Sequence, residues 1–422
     1  MKFTFSKYQI FVIALLAFIQ FTVVLDFMIL SPLGVLVMDQ LKIATDQFGL
    51  VVSAYAFSAG ISGILAAGFA DRFDRKKMLL FFYSGFVLGT VFCGIAPNYE
   101  FLLFARIVTG IFGGVISSIS FAIIADLFPL EARGRVMGFV MTAFAASQVA
   151  GLPLGIFLSK HWGWQSPFLM IAAISGLVGI AVAINLQPIN SHLKTKSENK
   201  ALKHLALTAA NSNYLPGFLA TMILATGGYM LMPFGSAFTV HNLGISFDNF
   251  VYVYAITGFV SIIAGPLIGK AADTYGKYSI FLVASLLASA IILYYTSLGT
   301  SPLWFVILIN STLFVMITGR VISANALTSA VPDLKDRGAY MAISSSLQQM
   351  SGGIAAYAAG LIVVQTPSGY MLGYQNLGYV VTGAILLTVI IMYKVNEYVA
   401  SKNPGMVPGE MKPAEAELPF EA

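Results

Sequence analysis

Three charged side chains lie deep inside long apolar stretches of the chain: Asp26, Arg106 and Arg320. A charge at the centre of a membrane-spanning helix costs about 2.5–3.5 kcal/mol, so such residues are usually functional. The carboxyl of Asp26 is suited to taking up and releasing a proton, because a dry environment disfavours its charged form. The position predicts proton exchange or substrate contact at Asp26; a permanently ionised partner of Arg106 is the alternative.

The two arginines keep their charge in proteins and therefore need an anion or water. An ion pair between Arg106 and Asp26 would keep the Asp26 carboxylate charged until a substrate breaks the pair. The alternative is that Arg106 donates hydrogen bonds to backbone carbonyls and serves helix packing. Arg320 has no acidic counterpart in the apolar stretches of its own half. Its partner is predicted to be an anionic substrate group or Asp26, unless the side chain snorkels to water.

The elements that position these charges are predicted to be membrane-spanning helices. The chain is 58% hydrophobic and 10% charged, whereas soluble domains are about a quarter charged. Lipid leaves only helices and closed barrels as spanning structures, and the runs lack the alternation of barrel strands. Twelve spans are predicted, at 8–37, 46–70, 78–96, 99–127, 135–159, 167–187, 214–240, 247–269, 278–298, 302–330, 338–365 and 372–396.

The distribution of basic residues predicts the orientation. Of the 23 Lys and Arg residues, nineteen fall before the first span or in the segments on that side, two (Lys42 and Lys160) fall in the opposite loops, and two lie within spans. Lys and Arg accumulate in cytoplasmic loops, so both termini are predicted to be cytoplasmic. The first apolar stretch continues past residue 30 without a cleavage site, which favours a retained span over a signal peptide.

Polar segments divide the chain into two bundles. We predict an N-terminal six-helix bundle at 1–190, a cytoplasmic central linker at 191–213 with four lysines, and a C-terminal six-helix bundle at 214–398. The remaining 399–422 is rich in Pro and Glu without periodicity and is predicted to be a disordered cytoplasmic tail.

Two loop motifs recur at nearly one spacing. The segment after the second span, 68–77, has a weaker copy at 272–277, and the Arg133-Gly134 pair returns at Arg337-Gly338. The copies lie 202 and 204 residues apart. Parallel repeats of this kind are a known transporter architecture, with a substrate site between the halves.

The first of these motifs carries a family resemblance. Gly68, Asp71, Arg72 and Arg75 match the G-x-x-x-D-R-x-G-R-[RK] signature of the major facilitator superfamily, with Asp74 in place of the second glycine. Asp tolerates a left-handed turn better than most residues, so the turn is expected to be kept. The chain resembles this superfamily over residues 8–397.

Two further motifs narrow the resemblance. Arg106 with Gly110 is similar to the R-x-x-x-G pattern of proton-coupled members, and Gly151, Pro153 and Gly155 resemble in part a motif on helix 5 of bacterial twelve-span drug and sugar efflux proteins (drug:proton antiporters). The resemblance implies an all-α polytopic membrane protein of twelve transmembrane helices in two pseudo-symmetric bundles. It implies proton-coupled efflux of a small molecule by alternating access, in the bacterial plasma (inner) membrane, by a monomer.

Site residues follow from the resemblance residue by residue. Proton coupling and substrate contact are expected at Asp26, Arg106 and Arg320. A cytoplasmic gate or latch is expected at the four residues that match the superfamily signature and at two further acids: Gly68, Asp71, Arg72, Arg75, Asp126 and Asp273. The alternatives are a symporter or uniporter importing an organic anion or sugar and, in another class, a non-transporting sensor or assembly factor.

Several function classes are not expected. The Gly-rich stretch at 110–114 lacks the Lys-Ser/Thr of a P-loop, so energy is expected from gradients instead of ATP. The four histidines show no metal-ligand spacing and the single cysteine, Cys93, allows no disulfide within the chain. We expect no enzymatic activity, catalytic residue, metal, cofactor or nucleic acid; the expected partners are substrate, protons and the lipid bilayer.

Overall fold

The computed structural model describes residues 5–69, 73–190, 201–333 and 335–402. Described residues up to 190 form eight α-helices: α1 (Lys7–Ile29), α2 (Gly34–Leu41), α3 (Thr45–Phe69), α4 (Arg75–Gly94), α5 (Tyr99–Leu127), α6 (Leu130–Ala146), α7 (Leu152–Trp162) and α8 (Ser166–Asn185). A π-helical turn at Ser147–Gly151 joins α6 to α7. Side-chain caps begin the helices locally: at α5 the Asn98 carboxamide accepts a hydrogen bond from the amide of Phe101.

Helix α9 (Ala201–Ala209) precedes the C-terminal half. Described residues from 215 onward form α10 (Leu215–Leu231), α11 (Gly235–Ala237), α12 (Phe247–Tyr275), α13 (Lys277–Thr296), α14 (Leu303–Thr328), α15 (Arg337–Ile362) and α16 (Tyr374–Lys402). A 3-10 turn at Met232–Phe234 and a π-helical turn at Phe238–Asn242 flank α11. Strands β1 (Val364–Gln365) and β2 (Met371–Leu372) form a short antiparallel hairpin in which Val364 faces Leu372.

Eleven helical segments in the described part of the chain are long and apolar enough to cross a membrane. They coincide with eleven of the twelve predicted spans. The remaining predicted span, 338–365, corresponds to α15, which is 26 residues long but richer in Ser, Gln and Gly than the other spans. The repeat is also visible in the helix starts, because Thr45 and Phe247 begin α3 and α12, and Arg75 and Lys277 begin α4 and α13, 202 residues apart in both pairs.

Some predicted boundaries are wrong. The predicted span 8–37 is broken, since α1 ends at Ile29 and the chain turns before α2. The span predicted at 214–240 is interrupted by the 3-10 turn containing Pro233, which has no amide hydrogen to donate. Helix α16 runs to Lys402, so the first four residues of the predicted disordered tail are helical; 403–422 lie outside the described residues.

The hydrophobic core is divided by depth. We call the end where α1, α4 and α13 begin the basic end, and the end where α5 and α14 begin the far end. One buried cluster joins both halves toward the far end and includes Met28, Phe48 and Phe234. At the basic end each half has its own cluster, around Ile119 in the first and Tyr340 in the second. The apolar clusters therefore join the halves toward the far end and are separate at the basic end, while α3 and α15 stay in close contact as far as Gly63, where a Cβ would lie 3.0 Å from Ser346 Oγ.

Candidate functional site between the helices

Two fully buried charged residues form an ion pair between α1 and α5. Arg106 Nη1 lies 2.9 Å from Asp26 Oδ2, and the two side chains are 1% and 0% exposed. The same nitrogen lies 3.4 Å from the backbone oxygen of Asp26. Thr90 on α4 donates to the other carboxylate oxygen at 3.1 Å. The predicted contact between Asp26 and Arg106 is therefore present, and it is sealed from solvent.

An aromatic ring covers Arg106 on a second side. Its Cζ lies 4.5 Å from the ring centroid of Tyr55 on α3, a cation–π contact. Its Nε is buried and has no hydrogen-bond partner among the described residues. The guanidinium thus depends on Asp26 for charge balance within the described part of the chain. Breaking such a pair in place leaves an uncompensated buried charge, which is costly.

The helix 5 motif brings α7 close to the segment of α1 that carries Asp26. A Cβ added to Gly151 would lie 2.6 Å from Leu25 Cδ1, and one added to Gly155 would lie 2.4 Å from Ile29 Cδ1. Both distances are shorter than van der Waals contact, so only glycine fits without movement of the neighbour. The motif therefore provides a close packing surface on both sides of the acid.

Backbone irregularity and small residues shape the neighbouring contacts. Pro153 is the second residue of α7, which begins directly after the π-helical turn at Ser147–Gly151, and a bend is expected there. On α5, a Cβ at Gly110 would lie 2.5 Å from the backbone oxygen of Tyr55, and one at Gly114 would lie 2.5 Å from the backbone of α3. The R-x-x-x-G pattern therefore allows α3 to approach α5 closely enough for Tyr55 to reach the guanidinium.

An aromatic bridge joins the halves beside the ion pair. The ring of Phe27 on α1 lies 5.4 Å from that of Tyr55 and 5.5 Å from that of Tyr229 on α10, measured between centroids. Tyr229 donates its hydroxyl hydrogen to Oε1 of Gln349 on α15 at 2.5 Å. We refer to Tyr55, Phe27 and Tyr229 as the aromatic bridge. It connects the environment of Arg106 to two helices of the C-terminal half.

Side-chain contacts also close the far end between the halves. They involve hydroxyl groups that donate to backbone oxygens and one exposed ion pair: Ser31 to Met232 O, Ser236 to Ser31 O (2.9 Å), Thr45 to Val363 O (2.5 Å), and Lys160 Nζ with Asp248 Oδ1 (2.8 Å). These contacts tie the turn after α1, together with α3 and α7, to the C-terminal half. No sequence pattern pointed to them, because each joins residues far apart in the chain.

At the basic end, the signature residues that the structure describes make contacts within the N-terminal half. Arg75 Nε lies 3.2 Å from Asp126 Oδ2, and the Arg75 amide donates to the oxygen of Ile189 at 3.0 Å. These contacts join the basic ends of α4 and α5 and the segment after α8, and a gate or latch role for them stays a prediction. The expected left-handed turn at Asp74 is wrong: its φ is −55°, and its carboxylate accepts from the Lys77 amide as the N-cap of α4.

The other four predicted gate residues either lie outside the described residues or make no contact with other described residues that supports a gate. Gly68 lies in the last turn of α3. Asp71 and Arg72 lie outside the described residues. Asp273 is 71% exposed on its side chain and lies 3.8 Å from Lys277 in the adjacent helix. The repeat at 272–277 therefore does not reproduce the buried contact of Arg75, and the gate role of these residues stays a prediction.

Comparison with known proteins identifies the family. The family described as Major Facilitator Superfamily matches residues 16–308 and 217–418. The chain belongs to this superfamily. Its members are transporters and not enzymes, so the chain is a multi-pass membrane transporter.

Two relatives in the superfamily are similar in sequence. The chain is 32% identical over 165 residues to the "Uncharacterized MFS-type transporter YceJ" of Bacillus subtilis (strain 168), a match that covers 39% of this chain and 42% of that protein. It is 24% identical over 364 residues to the "Probable sugar efflux transporter" of Mannheimia succiniciproducens, covering 84% of this chain and 85% of the relative.

Solved superfamily structures share the fold. A D-xylose-proton symporter superposes with a TM-score of 0.74 at 17% identity, over 92% of this chain and 98% of its own. An inward-facing, occupied bacterial homolog of the human lysosomal transporter Spinster superposes with a TM-score of 0.67 at 16% identity, over 97% of this chain and 100% of its own. These similarities confirm the major facilitator fold predicted from the sequence.

Arg320 does not occupy the place predicted for it in this superfamily fold. It is 5% exposed, donates from Nε to Ser285 Oγ at 3.0 Å, and lies 5.8 Å from the ring centroid of Phe281. Both neighbours are on α13, which packs mainly against α12, α14 and α16. The predicted contact with Asp26 is wrong, because that carboxylate faces Arg106, and so is the predicted escape to water. A substrate contact at Arg320 stays a prediction.

A polar cluster at the basic end was missed by the sequence prediction. His204 Nε2 on α9 lies 2.8 Å from Asp336 Oδ1, Tyr214 donates to the other Asp336 oxygen at 2.8 Å, and Lys402 Nζ lies 2.5 Å from Asp333 Oδ1. The hydrogen bond from His204 lowers the pKa of Asp336, and the bond from Lys402 lowers that of Asp333. Helix α9 contacts both α15 and α3. No local pattern pairs residues this distant.

Proposed function

We propose that this protein exports a small molecule in exchange for protons by alternating access, with Asp26 and Arg106 as the proton-responsive pair. One observation carries the proposal: the 2.9 Å ion pair is sealed from solvent and adjoins the aromatic bridge between the halves. A buried pair that touches a contact between two repeats can couple its charge state to that contact.

Proton uptake at Asp26 changes the free energy of this state. A neutral carboxyl no longer balances Arg106, whose guanidinium then stays desolvated against the ring of Tyr55. Removing one partner of a buried pair costs about 3–5 kcal/mol. Protonation therefore favours a conformation in which water reaches Arg106. A free-energy difference of this size between two conformations changes which of them is more populated.

The division of the core supports alternating access. The halves share a core and several hydrogen bonds toward the far end, and each has a separate core at the basic end. The distribution of Lys and Arg predicts that the basic end is cytoplasmic. With that orientation, this conformation receives substrate from the cytoplasm, and the alternate conformation must break the far-end contacts.

Export is favoured over import by two observations. One relative that matches most of the chain carries the name "Probable sugar efflux transporter". The alternative of an importer that binds an organic anion at Arg320 is weakened, because Arg320 contacts α13 and not the other half. A non-transporting sensor would have no need for a buried ion pair beside an aromatic contact between the halves.

Everted vesicles that contain the protein test the proposal. Respiration acidifies the lumen, and a neutral sugar, a sugar acid or a lipophilic cation is then added while luminal pH is followed with a dye. We expect a transported compound to dissipate the gradient with the wild-type protein and not with Asp26→Asn. Glu100→Gln, an exposed acid at the start of α5, is the matched control and should behave as wild type.

Two outcomes would contradict the proposal. Gradient dissipation by Asp26→Asn at the wild-type rate would exclude Asp26 as the proton carrier. Uptake of the same compound with a proton from the opposite side, measured in right-side-out vesicles, would identify an importer.

A further inference from the structure

We propose that Thr90 positions the Asp26 carboxyl for proton exchange and makes Oδ1 the oxygen atom that carries the proton. This inference rests on the proposed function and adds a residue that acts on its proton-responsive acid. Thr90 is a positioning residue, because it acts through Asp26 and is assigned no contact with the transported compound.

The two oxygen atoms of the Asp26 carboxyl face different groups. Oδ2 lies 2.9 Å from Arg106 Nη1, and Oδ1 lies 3.1 Å from Thr90 Oγ1. A guanidinium offers only N–H donors, whereas a hydroxyl group donates one hydrogen bond and can also accept. A proton on Oδ2 would meet another donor, but a proton on Oδ1 would meet an acceptor. The carboxyl is therefore expected to take up its proton at Oδ1.

The Thr90 hydroxyl lies between two oxygen atoms. Its Oγ1 is 3.1 Å from Asp26 Oδ1 and 2.9 Å from the backbone oxygen of Phe86, one turn earlier on α4. The hydroxyl has a single hydrogen, so it can donate well to only one of these oxygens at a time. Both contacts become full hydrogen bonds when Asp26 supplies a second hydrogen, which requires a proton on its Oδ1. The arrangement thus serves both protonation states of the acid.

Proton uptake then needs only the rotation of one hydroxyl group. In the ionised state, Thr90 donates to Oδ1 of Asp26. A proton brought by a hydronium ion bonds to Oδ1 and neutralises the carboxylate, and the ion leaves as water. The Thr90 hydrogen rotates to the Phe86 oxygen, and Thr90 Oγ1 accepts from the new Oδ1–H group. Arg106 still donates to Oδ2, so the carboxyl keeps its orientation while the charge balance is lost.

Close packing of α4 against α5 holds Thr90 in place. A Cβ added to Gly89, the preceding residue, would lie 2.7 Å from Thr109 Oγ1 and 2.8 Å from the Thr109 amide nitrogen, so no larger side chain fits without movement. Thr90 is 0% exposed. Its β-branched side chain has few rotamers in a helix, and these are the ones that bring the hydroxyl to a backbone oxygen of the preceding turn. The hydroxyl therefore has little freedom to leave Asp26.

The C-terminal repeat indicates that the fold does not require a hydroxyl at this position. Helices α4 and α13 begin 202 residues apart, and the residue 202 positions after Thr90 is Ile292, which is 2% exposed. An apolar side chain thus fills the equivalent place in the second half. A buried hydroxyl is favourable only where it is used, and in the first half the contact with Asp26 gives it a use.

Three other groups that can ionise lie close to the acid. Arg106 contacts Oδ2, Tyr55 covers the guanidinium, and the buried Cys93 lies one turn after Thr90 on α4. The ionisable residues of α6 and α7, which also pack against α1, lie within the first two turns of α6 and the last turn of α7. None of the three neighbouring side chains contains a C=O group, so the infrared band of a protonated carboxyl reports on Asp26 and not on them.

Infrared difference spectroscopy of the purified full chain tests the hydrogen bond. Spectra are recorded while the pH is lowered, and the band of the protonated Asp26 carboxyl is identified by its absence in Asp26→Asn. A carboxyl that loses a hydrogen bond absorbs at a higher wavenumber. We expect this shift in Thr90→Val and no shift in Thr90→Ser, which keeps the hydroxyl. Thr388→Val is the matched control, because Thr388 is also 0% exposed and donates to Ala384 O of its own helix.

The everted-vesicle assay gives a second readout. Gradient-driven transport should fall about tenfold in Thr90→Val, because the neutral carboxyl is left with no acceptor for its buried proton. Thr90→Ser should restore most of the rate, and Thr388→Val should behave as wild type. If Thr90→Val does not fold, Thr90→Ala removes the hydroxyl without adding atoms and should give the same band shift and the same loss.

Two results would overturn the inference. One is an unshifted carboxyl band in both Thr90→Val and Thr90→Ala, and the other is an equal shift in Thr90→Ser. Failure of the proposed function looks different. If Asp26→Asn keeps gradient-driven transport while Thr90→Val shifts the band, the hydrogen bond stands and the proton role of Asp26 fails. If Asp26→Asn loses coupling and no Thr90 variant shifts the band, the proposed function stands and the role of Thr90 fails.

Discussion

Lys160 on α7 and Asp248 on α12 lie 2.8 Å apart and join the two halves at the far end, whereas Arg75 pairs with Asp126 inside one half at the basic end. The ion pair between the halves therefore lies at the end opposite the family signature, and the pair at the signature lies within one half. The sequence pointed to a gate at the signature; the structure adds a closed far end that an alternating-access transporter must open in each cycle.

Cross-linking the far end is expected to stop transport. In a Cys93→Ser background, Lys160→Cys with Asp248→Cys places two thiols across the halves, and a short bismaleimide should join them. Transport in proteoliposomes should then fall to the level of empty vesicles, because α7 and α12 cannot separate. Each single-cysteine variant treated with the same reagent is the control. Normal transport by fully cross-linked protein would show that the far end need not open.

Removing Arg106 alone should destabilise the protein strongly. Arg106→Met leaves Asp26 buried without its partner, and we expect a loss of about 3–5 kcal/mol in the free energy of unfolding in detergent. The double variant Asp26→Asn with Arg106→Met should recover at least half of that loss. Lys160→Met, which breaks a pair that is 44% and 62% exposed, should cost no more than about 1 kcal/mol. Equal effects of the two single variants would contradict the argument.

Close packing at α5 predicts an effect of a single methyl group. Gly114→Ala places a Cβ 2.5 Å from the backbone of Ala59, which cannot move without shifting α3. We expect a loss of about 1–3 kcal/mol in unfolding free energy. Gly138→Ala on α6, where nothing lies within 4 Å, should instead stabilise by about 0.5–1 kcal/mol through helix propensity. A stabilising Gly114→Ala would show that α3 and α5 are less tightly packed.

The pair at the basic end is expected to affect turnover more than affinity. Arg75→Ala removes the contact with Asp126 and should slow substrate counterflow several-fold, because it changes the balance between conformations and not the substrate contacts. Affinity, measured by thermal stabilisation, should stay near the wild-type value. Lys77→Ala, an exposed cation two residues away, is the control. A large loss of affinity at normal turnover would argue against a latch.

Low pH is expected to weaken the contact between α9 and the Asp336 carboxylate at the start of α15. The His204 hydrogen bond, followed by that of Tyr214, holds the pKa of Asp336 below the ordinary value near 3.8. A carboxyl with a lowered folded-state pKa stabilises the fold above its unfolded pKa, and this contribution is lost as pH falls through the folded value. Hydrogen exchange in 201–209 should therefore rise, after correction for intrinsic rates, below about pH 4.

Asp336→Asn supplies the comparison for that titration. The variant should lack the acid-induced step, because an amide does not titrate in this range, and its exchange in α9 should be faster at neutral pH. His204→Ala should move the step upward, toward the ordinary carboxyl value. An identical acid-induced step in wild type and Asp336→Asn would assign the release of α9 to another group.

The spans and their order were predictable because both are local properties. Apolar runs of sufficient length, separated by polar or Pro-containing segments, account for α3, α4 and α5 nearly to the residue. The turn at Asp74 was predicted wrongly, since its carboxylate caps α4 instead of adopting a left-handed conformation. The break at Met232–Phe234 was also missed, although Pro233 marks it in the sequence.

Contacts of the candidate site were predictable in part. Asp26 and Arg106 were expected together, since each is a charge in a span that needs a partner, and the structure places them at 2.9 Å. Arg320 was misplaced by the same reasoning, because Ser285 and Phe281 carry no signal of a cation partner. A span that is apolar on every side has no stripe to show which face meets which neighbour.

By itself, the sequence determined that this protein is a polytopic helical membrane protein with an internal repeat and two oppositely charged residues within its first bundle. Hydrophobic length, loop charge and motif spacing are read along the chain, so they need no knowledge of packing. Only the tertiary structure decided that Arg106 meets Asp26, that Arg320 turns to α13, and that the halves close at the far end. Those outcomes depend on the rotation of each helix about its axis. That rotation is determined by tertiary packing, for example by the close approach of α1 to Gly151 and Gly155, and it is not encoded locally along the chain.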